Sequence, residues 1–102
     1  MEEQIFQIIL HGGNARSSAI EAIAAAKSGD FSIAKEKLAE AAKELSEAHH
    51  IQTSLIQSEI RGEKQEVSLL MIHAQDHLMN AMTMKELATE IVDLYEFIKR
   101  TL

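Results

Sequence analysis

The spacing of the apolar residues limits what this chain can fold into: they recur mostly at three- and four-residue steps along almost its whole length, with two short glycine-bearing joints between the periodic stretches. That period belongs to helices that each bury one face, whereas a half-buried strand needs strict alternation. Composition agrees, because proline is absent, aromatics make up 4%, and the balance of Ala, Leu, Ile and Glu suits helices better than strands. The expected fold class is all-α.

From Glu2 to Lys27 the positions Ile5, Ile8, Ile9, Ala15, Ala19, Ile23 and Ala26 form one stripe, with Glu2 and Glu3 where the helix dipole favours negative charge. Gly12-Gly13 is its weak point, since each interior glycine costs about 1 kcal/mol relative to alanine. With no other turn former but Asn14 beside the pair, a close approach of another backbone is expected in preference to a break. Ser28-Gly29-Asp30 is a joint in which Gly29 ends one helix and Asp30 caps the next. The second helix is predicted from Phe31 to about Arg61, a rod of roughly 45 Å. Its stripe is Phe31, Ala34, Leu38, Ala41, Ala42, Leu45, His49, Gln52, Ile56 and Ile60. Gly62-Glu63-Lys64-Gln65 is the second joint, and a third helix is predicted over Glu66 to Arg100. Short joints place the helices up, down and up in a single domain spanning residues 1–102, with no repeat or low-complexity tail. Three alanine-rich rods make a slender core, so several chains are expected to associate.

The same composition narrows function. No cysteine is present, which removes thiolate nucleophiles and Cys-type metal sites and fits a reducing cytosol. No signal-like start and no apolar run long enough to span a bilayer stand in the sequence, so a soluble, cytoplasmic protein is expected. A formal net charge of −6 disfavours nucleic acid and anionic membrane and favours a partner with a basic docking face. Neither Gly12-Gly13 nor the Gly62-Glu63-Lys64 run has Walker spacing.

Chemistry concentrates in Leu69 to Met79, LLMIHAQDHLM. Val67, Leu70, Met71, Ala74, Leu78 and Ala81 form an internal stripe. Leu69, Ile72, Asp76, Met79 and Thr83 follow the 3-4-3-4 steps of a second, coiled-coil-like seam on the opposite side, which needs a partner helix. If identical helices meet there, copies of Asp76 converge and require a divalent cation, protonation or a cationic neighbour. The alternative is an exposed aspartate among scattered surface hydrophobes. His73 and His77, one turn apart, can reach a single cleft. As metal ligands they would take Asp76 as a third, although Asp76 points roughly 60° from His73 around the helix and the H-E-x-x-H order is absent. As a nucleophilic pair, a neutral imidazole accepts a phosphoryl group while the second orients it or binds the phosphoryl oxygens. As a structural pair they are half-buried and satisfied by backbone or water. His49 is expected in the core and His50 in solvent, His11 has no evident partner, Met79, Met82 and Met84 read as core filler, and Glu40 with Lys43 is a supportive pair on a solvated face.

Taken together, HGGNARSSAIEAI in the first helix, the joint SGDF, EAHHIQTSLIQSE in the second helix and MIHAQDHLM in the third resemble, in order and over nearly the whole chain, the lactose/cellobiose-type enzyme IIA of the bacterial sugar phosphotransferase system. The resemblance implies a homotrimer, a bundle of nine helices. It places the phosphorylated histidine at His73 and His77 beside it, and Asp76 on the threefold axis with a bound divalent metal, Mg2+ being the expected ion. It further implies that phospho-HPr donates to an imidazole nitrogen of His73, with Nε2 the expected acceptor and no nucleotide needed, in agreement with the absence of Walker spacing. The group then passes to a cysteine of a cognate enzyme IIB during uptake of a β-linked disaccharide such as lactose, cellobiose or diacetylchitobiose. Contact with the membrane would come only through the IIC permease. A competing expectation is a metal-organised helical scaffold in which His73, Asp76 and His77 are structural ligands.

Overall fold

A computed structural model describes residues 2–102, and in it three helices, α1 (Glu2–Lys27), α2 (Phe31–Ile60) and α3 (Leu69–Thr101), account for all regular structure among the described residues. Both connections begin the same way. Gly29 and Gly62 take positive φ, at 86° and 90°, which a side chain would resist, and each turns the chain out of its helix. At the first, the amides of Gly29 and Asp30 donate back to the carbonyls of Ala26 and Ala25; at the second, those of Gly62 and Glu63 donate to Glu59 and Ser58. Each pair satisfies two carbonyls that the helix end would leave open. The expected cap is present, with the amide of Ile33 donating to Asp30 Oδ1 at 3.1 Å.

The second joint is longer than the sequence reading has it. Residues 63–68 are not helical, and α3 starts at Leu69, behind Ser68, whose hydroxyl accepts from the Met71 amide at 3.1 Å. Serine competes for backbone hydrogen bonds and favours this cap position over a helix interior, so the helix begins three residues after Glu66. Val67, placed in the internal stripe by spacing, therefore lies outside the helix and is 76% exposed, and Leu70 is also exposed. At the joint, the Ser58 hydroxyl and then Arg61 hold the Glu63 carboxyl below its ordinary range. This contribution is present above the unfolded carboxylate range and is lost as pH falls through the depressed value.

Three small clusters follow one another along the bundle axis. Ile5 and Ile8 of α1 meet Ala48 and Leu55 of α2 and Ala74 and Leu78 of α3. Ala15, Ala19, Ala41 and Ala88 fill the middle. Ala22, Ala26, Ala34 and Val92 close the far end. The start of α1 thus lies with the end of α2 and the start of α3, which makes the order up, down, up. Alanine at most of the crossings lets the helices approach closely but buries little side chain, and the result is a rod of 57 × 19 × 18 Å. Leu78, Ile8 and Val92 are the largest fully buried side chains. Leu78→Ala is accordingly expected to cost about 2–5 kcal/mol, read as a lowered urea midpoint at fixed protein concentration.

The buried line of α2 differs from the expected stripe. It steps by sevens through Ala34, Ala41, Ala48 and Leu55, while Ala42, His49, Ile56 and Ile60 are exposed. His49, adjacent to Ala48 and so about 100° from it, is a surface histidine and not a core one; His50 is exposed as expected. His11 does have a partner, since Glu44 Oε2 accepts from its Nδ1 at 2.5 Å across α1 and α2. Met82 and Met84 pack against the clusters, but Met79 is exposed. Glu40 pairs with Lys37 at 3.3 Å, not with Lys43, and Lys37 also reaches Glu21 of α1 at 3.1 Å. Hydrogen bonding to Glu21, then to Glu40, raises the Lys37 ammonium above its ordinary value.

Candidate functional site

Ser68 starts α3, and the helical period does the rest: His73 and His77 fall on one flank, Ala74 and Leu78 turn into the core, and Leu69, Ile72, Asp76 and Met79 face outward. His73 is exposed and His77 half-buried. Their rings stack with centroids 5.9 Å apart and an interplanar angle of 23°. An open apolar groove beside the pair is lined by Leu69, Leu70 and His73, so a visiting side chain can reach the His73 ring without displacing core residues.

Gly12 and Gly13 provide the other wall. α1 runs through the pair without a break, and a Cβ on Gly12 would stand 3.1 Å from His77 Cδ2 and 3.7 Å from the Cα of Leu78. α3 therefore approaches α1 at the glycine pair without a break in the helix, but the nearest group is the His77 side chain and the expected backbone, at Leu78, stands farther off. That the approaching group is the imidazole of His77 is not visible in the sequence, because the register between α1 and α3 is a tertiary property. Further along the joint end of the bundle, Gln52 Nε2 donates to Gln75 Oε1 and Gln75 Nε2 contacts the sulfur of Met71, tying α2 to the turn that carries His73.

Asp76 stands apart from the histidines. It is exposed, accepts from Asn80 Nδ2 at 3.4 Å, and lies between Ile72, 55% exposed, and Met79, 51% exposed. Among the described residues no three His, Asp or Glu side chains of one chain converge on a position that could hold a metal ion, so the ligand set of the scaffold reading, His73 with Asp76 and His77, is not assembled within a chain. Asp76 brings a single carboxylate to an apolar face, and a cation there would need carboxylates from other chains. The outward seam continues past Thr83 through Leu87, Leu94 and Phe97, all more than half exposed. No helix among the described residues is long and apolar enough to cross a membrane.

Known proteins share this arrangement of helices. The family described as PTS system, Lactose/Cellobiose specific IIA subunit, matches residues 3–96. The lichenan-specific phosphotransferase enzyme IIA component of Bacillus subtilis is 71% identical over 96 residues, covering 94% of this chain and 87% of that protein. The crystal structure of the PTS cellobiose-specific enzyme IIA from Bacillus anthracis superposes with a TM-score of 0.95 at 56% identity, over 97% of this chain and 91% of the other. A chain from the solution structures of the IIA(chitobiose)–HPr complex of the Escherichia coli phosphotransferase system superposes with a TM-score of 0.84 at 43% identity, over 96% and 95%. Three helices of matching order and a match to nearly the full chain leave one assignment: the chain belongs to the lactose/cellobiose-specific IIA family of the sugar phosphotransferase system and is a phosphotransferase component.

Proposed function

We propose that His73 accepts a phosphoryl group from phospho-HPr and yields it to a cysteine of a cognate enzyme IIB, in the uptake of a β-linked disaccharide. The observation that carries this reading is an exposed imidazole, stacked on a second one beside an open groove, in a chain similar to an enzyme IIA solved in complex with HPr. Transfer exchanges one P–N bond for another. The lone pair of His73 Nε2 attacks the phosphorus, the bond to the donor imidazole breaks, and that imidazole departs. In the second step a thiolate of enzyme IIB attacks and the His73 imidazole is the leaving group. In such in-line displacements the protein supplies position and charge stabilisation. His77, one turn away, is the group within reach of the phosphoryl oxygens. The relay takes place in the cytoplasm, and the chain meets the membrane only through its permease partner.

The assembly proposed for this chain is a homotrimer of nine helices with the α3 seams at its centre. Leu69, Ile72, Met79, Leu87, Leu94 and Phe97 give that centre its apolar surface, and three copies of Asp76 would hold a divalent cation of the Mg2+ kind, whose charge offsets the carboxylates. Phosphoenolpyruvate, enzyme I and HPr are expected to load one acid-labile phosphate per chain, which added enzyme IIB removes. A chain that takes up no label from phospho-HPr would contradict the proposal.

A further inference from the structure

We propose that Gly12 is a positioning residue for phosphoryl transfer: its missing Cβ is the seat of the His77 imidazole, and through that seat α1 holds the orientation of the stacked His73–His77 pair. The proposal rests on the transfer function assigned above to His73. Glycine is an unfavourable choice in the middle of a long helix, which α1 is, and nothing in its backbone requires one, because the helix is regular and the φ of Gly12 is not positive. What the position lacks is room. Gly12 is buried, and an added Cβ would lie 3.1 Å from His77 Cδ2, 3.6 Å from Nε2 and 3.7 Å from the backbone of Leu78.

Leu78 is fully buried in the cluster with Ile8 and Ala74, so α3 cannot retreat from α1 without opening that cluster. The imidazole is the movable group, and it would have to give by a few tenths of an ångström away from α1. Its stacking contact with His73, 5.9 Å between centroids, would change with it. Gly13 marks the edge of the same notch. A Cβ there stands 3.5 Å from His77 Nε2, an ordinary van der Waals distance.

Gly12→Ala separates this role from a structural one when its thermal midpoint is read beside the two measurements below, because alanine favours the helix while its Cβ stands 3.1 Å from His77. Two readouts apply to the full-length protein. In the unphosphorylated protein, imidazole 15N and 1H resonances of His77 are expected to move in Gly12→Ala and to move less in Gly13→Ala. In transfer from phospho-HPr, Gly12→Ala is expected to lower the loading rate of His73 tenfold or more at saturating donor, with a smaller change in the donor concentration at half-maximal rate. The coupling is read in a His77→Ala background, where Gly12→Ala should cost less than twofold. Unmoved His77 resonances in Gly12→Ala, or an equal loss of rate with and without His77, would overturn the proposal. The resonance measurement needs no phosphoryl donor, so a failed seat and a failed transfer assignment give different results.

Discussion

His73→Gln is expected to reduce phosphate incorporation from phospho-HPr to background while leaving the helical content unchanged. Glutamine keeps a polar side chain of similar reach but offers no nitrogen lone pair of comparable nucleophilicity, and His73 is exposed, so its replacement leaves no hole in the core. His77→Ala should behave differently: the acceptor remains, and losing a group that orients it or binds developing charge is expected to slow loading on the order of 10²-fold without changing the final stoichiometry. Rate and end point in one loading time course distinguish the two. If both variants loaded at the wild-type rate, the acceptor would have to lie elsewhere, with His49 and His50 on the exposed side of α2 as the remaining surface imidazoles.

Asp76→Leu is expected to strengthen the assembly. In a trimer packed through the α3 seam, three carboxylates face one another among Ile72 and Met79, and apolar replacement of a buried charged cluster is neutral or stabilising by about 1–4 kcal/mol. Light scattering should give three times the 11.4 kDa chain mass for the wild type, and the variant should hold that mass to lower concentration and unfold at a higher temperature. Dissociation of Asp76→Leu into single chains would mean that a cation on the axis contributes more than the carboxylates cost.

Much of the fold is legible in the sequence because most of it is local. The period of α1, the Gly29 turn and the Asp30 cap each depend on residues within a few positions, and the structure places them as the sequence does. The start of α3 was legible too, in Ser68, but apolar spacing through Val67 points three residues earlier; a capping hydroxyl outweighs one more apolar residue that has nothing to pack against. His49 shows a different limit. A stripe read as 3-4 steps can drift by one residue over a helix of 30, and the true line through Ala41, Ala48 and Leu55 puts His49 just outside. Packing against α1 selects between the two lines, and that selection is not written in α2 alone.

The site divides in the same way. That His73 and His77 share a flank follows from a four-residue step, and the outward seam around Asp76 follows from the 3-4 pattern; both appear as the spacing implies. That the Gly12-Gly13 pair opposes His77, and that His11 finds Glu44, depends on the register of α1 against its neighbours. A glycine pair in a strong helix signals a close approach without naming what approaches.

Nitrogen–phosphorus correlation in the loaded, imidazole-15N-labelled protein tests the central claim most directly. A single one-bond coupling assigned to Nε2 of His73, which disappears when enzyme IIB is added, is the result the account predicts. A coupling on any other histidine, or phosphate held through oxygen with no nitrogen coupling, would contradict it.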